Sequence, residues 1–88
     1  MPRRDDPQYG LGKAIRTLRK EAKMTQEELG LAAEIHSTWI SHIESGRINP
    51  TFGNVRRLAS GLDVTVVELA SMAERYEREI ARSASEGG

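Results

Sequence analysis

Thr25–Pro50 reads TQEELGLAAEIHSTWISHIESGRINP. Thr25 with Glu28 three places on is a capping-box pair, so a helix opens there and runs through Leu29 to about Ala33. A helix this short is not stable alone in water and must be locked by packing. A second helix begins at His36 or Ser37 and stops at Gly46, a natural C-terminal residue. Asn49–Thr51 then breaks the chain again. Gly30, four residues after Gln26, leaves room for the following helix to cross close by, and Ile35 fills the turn.

At about 100° per residue, the second of these helices divides into two arcs. Ile35, Trp39, Ile40 and Ile43 share one of them, with Trp39 expected to pack against the core and expose only an edge. Ser37, Thr38, Ser41, His42 and Ser45 share the other, which spans roughly 140°. The oily side anchors the helix and the polar side is held outward in a fixed orientation.

Helical spacing continues on both sides of this pair. Leu11, Ile15 and Leu18 mark a first helix over about 11–23, preceded by a flexible arm, residues 1–10, that carries Arg3 and Arg4. Thr51 caps a fourth helix holding Phe52, Val55, Leu58 and Ala59, which closes near Gly61 and Leu62. Thr65 and Glu68 repeat the capping box and open a fifth helix to about Ser83. Residues 84–88 read as a disordered tail. The expected fold is all-α: one domain over 11–83, a compact bundle of five short helices with an extended last helix.

Composition bounds the function. Of 88 residues, 38% are hydrophobic and 30% charged, which suits a soluble globular domain. The absence of cysteine removes disulfides and thiolate chemistry and is compatible with a reducing cytosol. No apolar run approaches the roughly 18 residues of a membrane span, and the first ten residues lack a signal-peptide core. Net charge is zero, so binding to nucleic acid by charge alone is not expected. The charge is nevertheless polarised. Residues 1–23 hold seven basic side chains against three acids, whereas residues 62–88 hold three against six. His36 and His42 do not have metal-ligand spacing, and no cofactor or catalytic constellation is expected.

The ordered string from Ile15 to Leu69 resembles the helix-turn-helix domains of the Cro and phage-repressor type, also called the xenobiotic-response-element type. The marks that carry the likeness are Gln26 opening the second helix, the Ile40 and Ile43 pair, the Ile43-Glu44-Ser45-Gly46-Arg47 run with Asn49-Pro50, and the closing ASGLDVTVVEL. The resemblance implies a lambda-repressor-like fold in which the third helix lies in the DNA major groove. It places Gln26 on a phosphate at the start of the second helix. It also implies an ion pair between Arg19 and Glu44. Two positions depart from the pattern: Glu34 stands where the family has a left-handed glycine, and His36 stands at the usual Ser or Thr cap.

The candidate DNA contacts are therefore Gln26, His36, Ser37, Thr38, Ser41, His42, Arg47 and Asn49. The polar arc lacks Arg, Lys, Gln and Asn, so direct base readout is modest and DNA shape carries much of the specificity. Lys13, Arg16, Arg56 and Arg57 either add phosphate contacts or face water, and Trp39, for which core packing is expected, has stacking on the sugar–phosphate backbone as its alternative. Leu69, Met72, Ala73, Tyr76 and Ile80 form an apolar stripe on the fifth helix, read as a homodimer interface in preference to a fold-back onto the same domain. Small restriction–modification controllers and phage repressors are similar in layout. The resulting expectation is a non-enzymatic, cytoplasmic, nucleoid-associated repressor or autoregulator, binding a palindromic operator in double-stranded DNA as a homodimer. The alternatives are an antitoxin that binds its own promoter and a bridging factor that contacts the transcription machinery.

Overall fold

The computed structural model describes residues 7–86. Among them are five helices and no strand: α1 (Tyr9–Glu21), α2 (Gln26–Ala33), α3 (Ser37–Glu44), α4 (Phe52–Gly61) and α5 (Val66–Glu86). Their order and type match the expected all-α bundle. The ends differ. α1 begins at Tyr9, inside the expected arm, because the Gln8 N–H is fixed by the Gly46 carbonyl at 2.8 Å and the Gly10 N–H by the Glu77 carboxylate at 2.5 Å. A carboxylate at that terminus also complements the helix dipole. α5 passes Ser83 and includes residues 84–86, so the expected loose tail is helical that far. Residues 1–6, with Arg3 and Arg4, and residues 87–88 lie outside the described part.

Both capping boxes form. The Thr25 hydroxyl accepts from Glu28 N, and the Glu28 carboxylate accepts from Thr25 N at 2.8 Å. Thr65 and Glu68 repeat the exchange at 3.0 Å in each direction. Thr51 caps α4 through Asn54 N. Each cap satisfies backbone donors that a helix start would otherwise leave unpaired.

Three helices end alike. Lys23, Glu34 and Asp63 each adopt φ of 58°, in the left-handed region. The next residues, Met24, Ile35 and Val64, each donate their N–H back into the preceding helix, to Arg19, Gly30 and Ala59. Met24, Ile35 and Val64 are all at least partly buried and pack in or against the core. This is the Schellman arrangement, with an apolar residue past the stop that closes onto the helix. None of the three left-handed residues is glycine, at a cost of roughly 1 kcal/mol apiece.

The core is aliphatic. Ile15, Leu29, Ile40, Leu58 and Leu69 are fully buried, with Ile43 beside them. Every helix thus supplies at least one anchor. α2 crosses α3 closely at Gly30, where a Cβ would come within 2.5 Å of the Ile35 carbonyl oxygen.

α5 packs most extensively along α1, and this changes the reading of the apolar stripe. Leu69 is fully buried in the core, and Met72, Ala73 and Tyr76 pack against that core within the same chain. The Tyr76 hydroxyl meets Thr17 at 3.2 Å, and the Lys13 ammonium sits 4.7 Å from the Tyr76 ring centroid. Ile80 is half-buried beside Tyr9, Lys13 and Thr17. Leu69 is thus spent within the chain, whereas Met72, Ala73, Tyr76 and Ile80 pack toward α1 and remain partly exposed. No helix among the described residues is long and apolar enough to cross a membrane.

Glycine at the left-handed stops removes the Cβ strain but adds unfolded-chain entropy. Glu34→Gly and Asp63→Gly should therefore each raise stability by about 0.5–1 kcal/mol in urea denaturation. The Glu68 carboxylate is held below its ordinary value by the Thr65 backbone and hydroxyl bonds. Its stabilisation is complete above the unfolded-state value and is lost as pH falls through the lower folded value. Glu68→Gln should flatten that part of the acid-unfolding curve.

Candidate nucleic-acid interface

α3 has only eight residues, so its orientation is set by what holds it underneath. Ile40 is fully buried and Ile43 nearly so. α1 approaches the far end of α3 at Gly12, where a Cβ would fall 2.6 Å from the carbonyl oxygens of Ile43 and Glu44. Glycine there lets the two backbones touch.

The same crossing carries an ion pair. Arg19 Nε donates to Glu44 Oε2 at 2.6 Å and Nη2 to Oε1 at 2.9 Å, a two-pronged contact between side chains that are 11% and 5% exposed. Arg19 Nη1 also donates to the Met24 carbonyl at 2.8 Å, and Gln26 Nε2 to Glu44 Oε1 at 3.2 Å. The hydrogen bond to Glu44 is the main reason the guanidinium holds its proton more firmly than usual, against the opposing effect of burial. This network joins α1, the start of α2 and the end of α3. Arg19 and Glu44 are thus positioned as the resemblance implied, and Gln26 is partly committed to them.

Above this base the polar arc faces outward. Thr38, Ser41, His42 and Ser45 are exposed, and Ser37 is half-buried at the helix start. His36 is the cap itself: its Nδ1 accepts from Thr38 N at 3.1 Å, and Ser37 is the first helical residue. With Nδ1 accepting from Thr38, Nε2 is the ring nitrogen left for other partners. Glu34 takes the left-handed turn that its family position requires, with φ 58° and ψ 42°. The turn keeps its geometry despite the missing glycine.

The candidate residues fall into two flanks and a crest. Gln26 and Ser41 line one cleft of about 280 Å³ with Arg16, Arg19, Glu44 and Ser45. His36 and Asn49 line another of about 420 Å³ on the opposite flank, toward α4. Thr38 and His42 line neither cleft and stand on the crest between them. Arg47, just past Gly46, is exposed and its N–H reaches the Ser45 hydroxyl at 3.4 Å.

Trp39 departs from expectation. It is 56% exposed and lines the larger cleft together with Asn54 and Arg57. Its ring meets His42 edge-on, with centroids 6.1 Å apart. By helix geometry Trp39 lies about 70° from the direction midway between Ile40 and Ile43, which is far enough for a large ring to escape a core already filled by isoleucines. That angle was available from the sequence, but what lies beside the ring was not. Asn54 had no signal at all, being one polar residue on a helix whose placement depends on the turn before it.

Four likenesses bear on this geometry. Residues 11–72 match the family described as a helix-turn-helix domain. The chain is similar to the control protein C.MunI of a Mycoplasma species, with 31% identity over 72 residues, covering 81% of this chain and 97% of that one. Among solved structures, the restriction-modification controller protein C.AhdI from Aeromonas hydrophila superposes with a TM-score of 0.68 at 28% identity, over 69% of this chain and 92% of the other. The clp gene regulator ClgR from Corynebacterium glutamicum gives a TM-score of 0.85 over 91% of this chain and 85% of its own, and at 21% identity it speaks to the fold alone.

Removing one partner of a buried, hydrogen-bonded ion pair leaves the other charge uncompensated. Glu44→Ala should therefore cost about 3–5 kcal/mol in urea denaturation. Replacing both partners with apolar residues, Arg19→Met with Glu44→Leu, should recover most of that loss.

Proposed function

This chain belongs to the helix-turn-helix domain family, and on that premise we propose that it is a sequence-specific regulator of transcription that binds double-stranded DNA. The observation that carries the reading is the outward polar crest on α3, clamped from below by Ile40, Ile43 and the Arg19–Glu44–Gln26 network. A single exposed helix of this size fits the major groove, which admits one α-helix.

Thr38 and His42 are the base-reading side chains. Ser and Thr hydroxyls accept or donate, a Thr methyl packs on thymine, and the contrast between bases is small for such groups. Sequence-dependent DNA shape supplies the remainder of the specificity. Gln26, Ser41 and Arg47 contact phosphates, Gln26 through the amide proton that Glu44 leaves free. His36 presents its Nε2 at the helix start, beside Ser37, and Asn49 approaches the backbone on the α4 side.

A reading surface of a few residues specifies few base pairs. Two copies on a two-fold operator double that information and set half-sites about one turn of DNA apart. The protein therefore acts as a homodimer, and as a repressor or autoregulator. Leu69 is buried within the chain, so the contact between copies draws on the partly exposed Met72, Ala73, Tyr76 and Ile80, together with Phe52 at the start of α4 and Val67 at the start of α5.

Replacing Gln26 or Arg47 by Ala should weaken binding to all duplexes alike, and loss of one phosphate contact should lower the salt slope by about one. Replacing Thr38 or His42 should change the sequences recovered by in vitro selection. Light scattering should report a dimer that Phe52→Glu or Val67→Glu converts to a monomer. A wild-type chain that is monomeric both free and on its selected site would remove the two-fold operator.

A further inference from the structure

From the exposed position of Trp39 we infer that the cleft between α3 and the start of α4 is a clamp for one sugar–phosphate strand at the edge of the major groove. This rests on the DNA-binding reading above. Trp39 forms the apolar wall of the clamp, and Arg57, Asn49 and Asn54 supply its polar side.

The placement comes from helix geometry. Taking the midpoint of the polar arc as the direction of the groove floor, Trp39 is turned about 130° from it, on the α4 side. Its ring is thereby directed to the flank of the groove, where the backbone runs, and not to the base edges. The cleft it lines holds about 420 Å³ and has Ile35, Ile43, Ile48 and Pro50 in its lining. A deoxyribose offers apolar C–H surface of the kind that packs on an aromatic face, and the phosphates on either side of it require donors. Arg57, Asn49 and Asn54 line the same cleft and can donate, beside His36 and Thr51. Glu34 is the one carboxylate in that lining, so the phosphate must be placed by Arg57, whose guanidinium pairs with phosphate oxygens in a planar fork.

The arrangement has a physical rationale in the weak crest. Thr38, Ser41 and His42 give little hold on bases, so α3 must be registered in the groove by its walls. On the opposite flank, Arg16 and Gln26 line the second cleft. Trp39 and Arg57 supply the matching wall. A large ring more than half exposed on a soluble domain gains from such burial, and aromatic and Arg side chains are those that most often dominate an interface.

Trp39 is the chain's only tryptophan, so its fluorescence reports this cleft alone. The test uses the full chain, a selected duplex and a random duplex, with anisotropy of a labelled duplex read in parallel with acrylamide quenching of Trp39. Quenching should fall on saturation with either duplex. Trp39→Ala should weaken both by roughly tenfold with the same base preference, Trp39→Phe should restore most of the affinity, and Arg57→Ala should lower the salt slope by about one. Unchanged quenching while anisotropy reports binding would overturn the clamp and leave the DNA-binding reading standing. A shifted base preference for Trp39→Ala would also overturn it, by making the indole a base reader. So would a fall in urea stability large enough to account for the lost affinity. If anisotropy shows no binding to any duplex at low salt, the functional reading fails and the clamp fails with it.

Discussion

The two-pronged contact between Arg19 and Glu44 fixes the geometry on which the functional surface depends. It joins residues 25 apart in sequence and ties the end of α3 to α1, while Met24 and Gln26 complete the hydrogen bonding around it. Taking both charges out of water is expensive, and apolar replacements of similar size are often as stable. What a planar, directional pair adds is angle. Isoleucines at 40 and 43 hold α3 against the core but permit it to roll or slide, whereas two parallel N–H···O bonds do not. An eight-residue helix with no stability of its own takes its aim from that network.

The rest of the bundle serves to present this one helix. Gly12 and Gly30 permit α1 and α2 to approach backbone to backbone, so that α3 is not wedged outward by side chains. The Schellman stops after α1, α2 and α4 turn the chain sharply and return an apolar residue to the core each time. α5 then closes the side of α1 away from α3, with Leu69 in the core and Tyr76 reaching Thr17. Its Glu77 carboxylate caps the N-terminus of α1. These contacts tie the last helix to α1.

α3 itself emerges as a crest with two unlike flanks. One side carries Gln26, Arg16 and the buried pair, a polar and rigid wall. The other carries an exposed indole and the loop before α4, a wall that is apolar near the helix and cationic beyond it. On the DNA-binding reading proposed above, a crest of Thr, Ser and His, short in reach and weak in charge, leaves placement to the walls and part of the specificity to the deformability of the DNA.

Much of this was legible in the sequence because it is local. Capping boxes at Thr25 and Thr65, the stop at Gly46 and the three-and-four spacing of the aliphatic residues each act within a turn or two, so five helices and their order follow from residue types alone. The polar arc of α3 follows from the same periodicity. Family likeness extended the reading to the Arg19–Glu44 pair and to the left-handed turn at Glu34. Periodicity, however, states which residues share a face and not what that face meets. The stripe from Leu69 to Ile80 has the same spacing whichever surface it meets, and only the folded chain shows that Leu69 is buried in the core and that the remainder lies along α1, partly exposed. Trp39 stands at an angle compatible with core or surface, and its place was decided by the volume that Ile40 and Ile43 had already filled. Asn54 and Arg57 become neighbours of Trp39 only after the turn at Pro50 sets the direction of α4. Local propensity determined the parts, and competition for one small core determined which surfaces remained free.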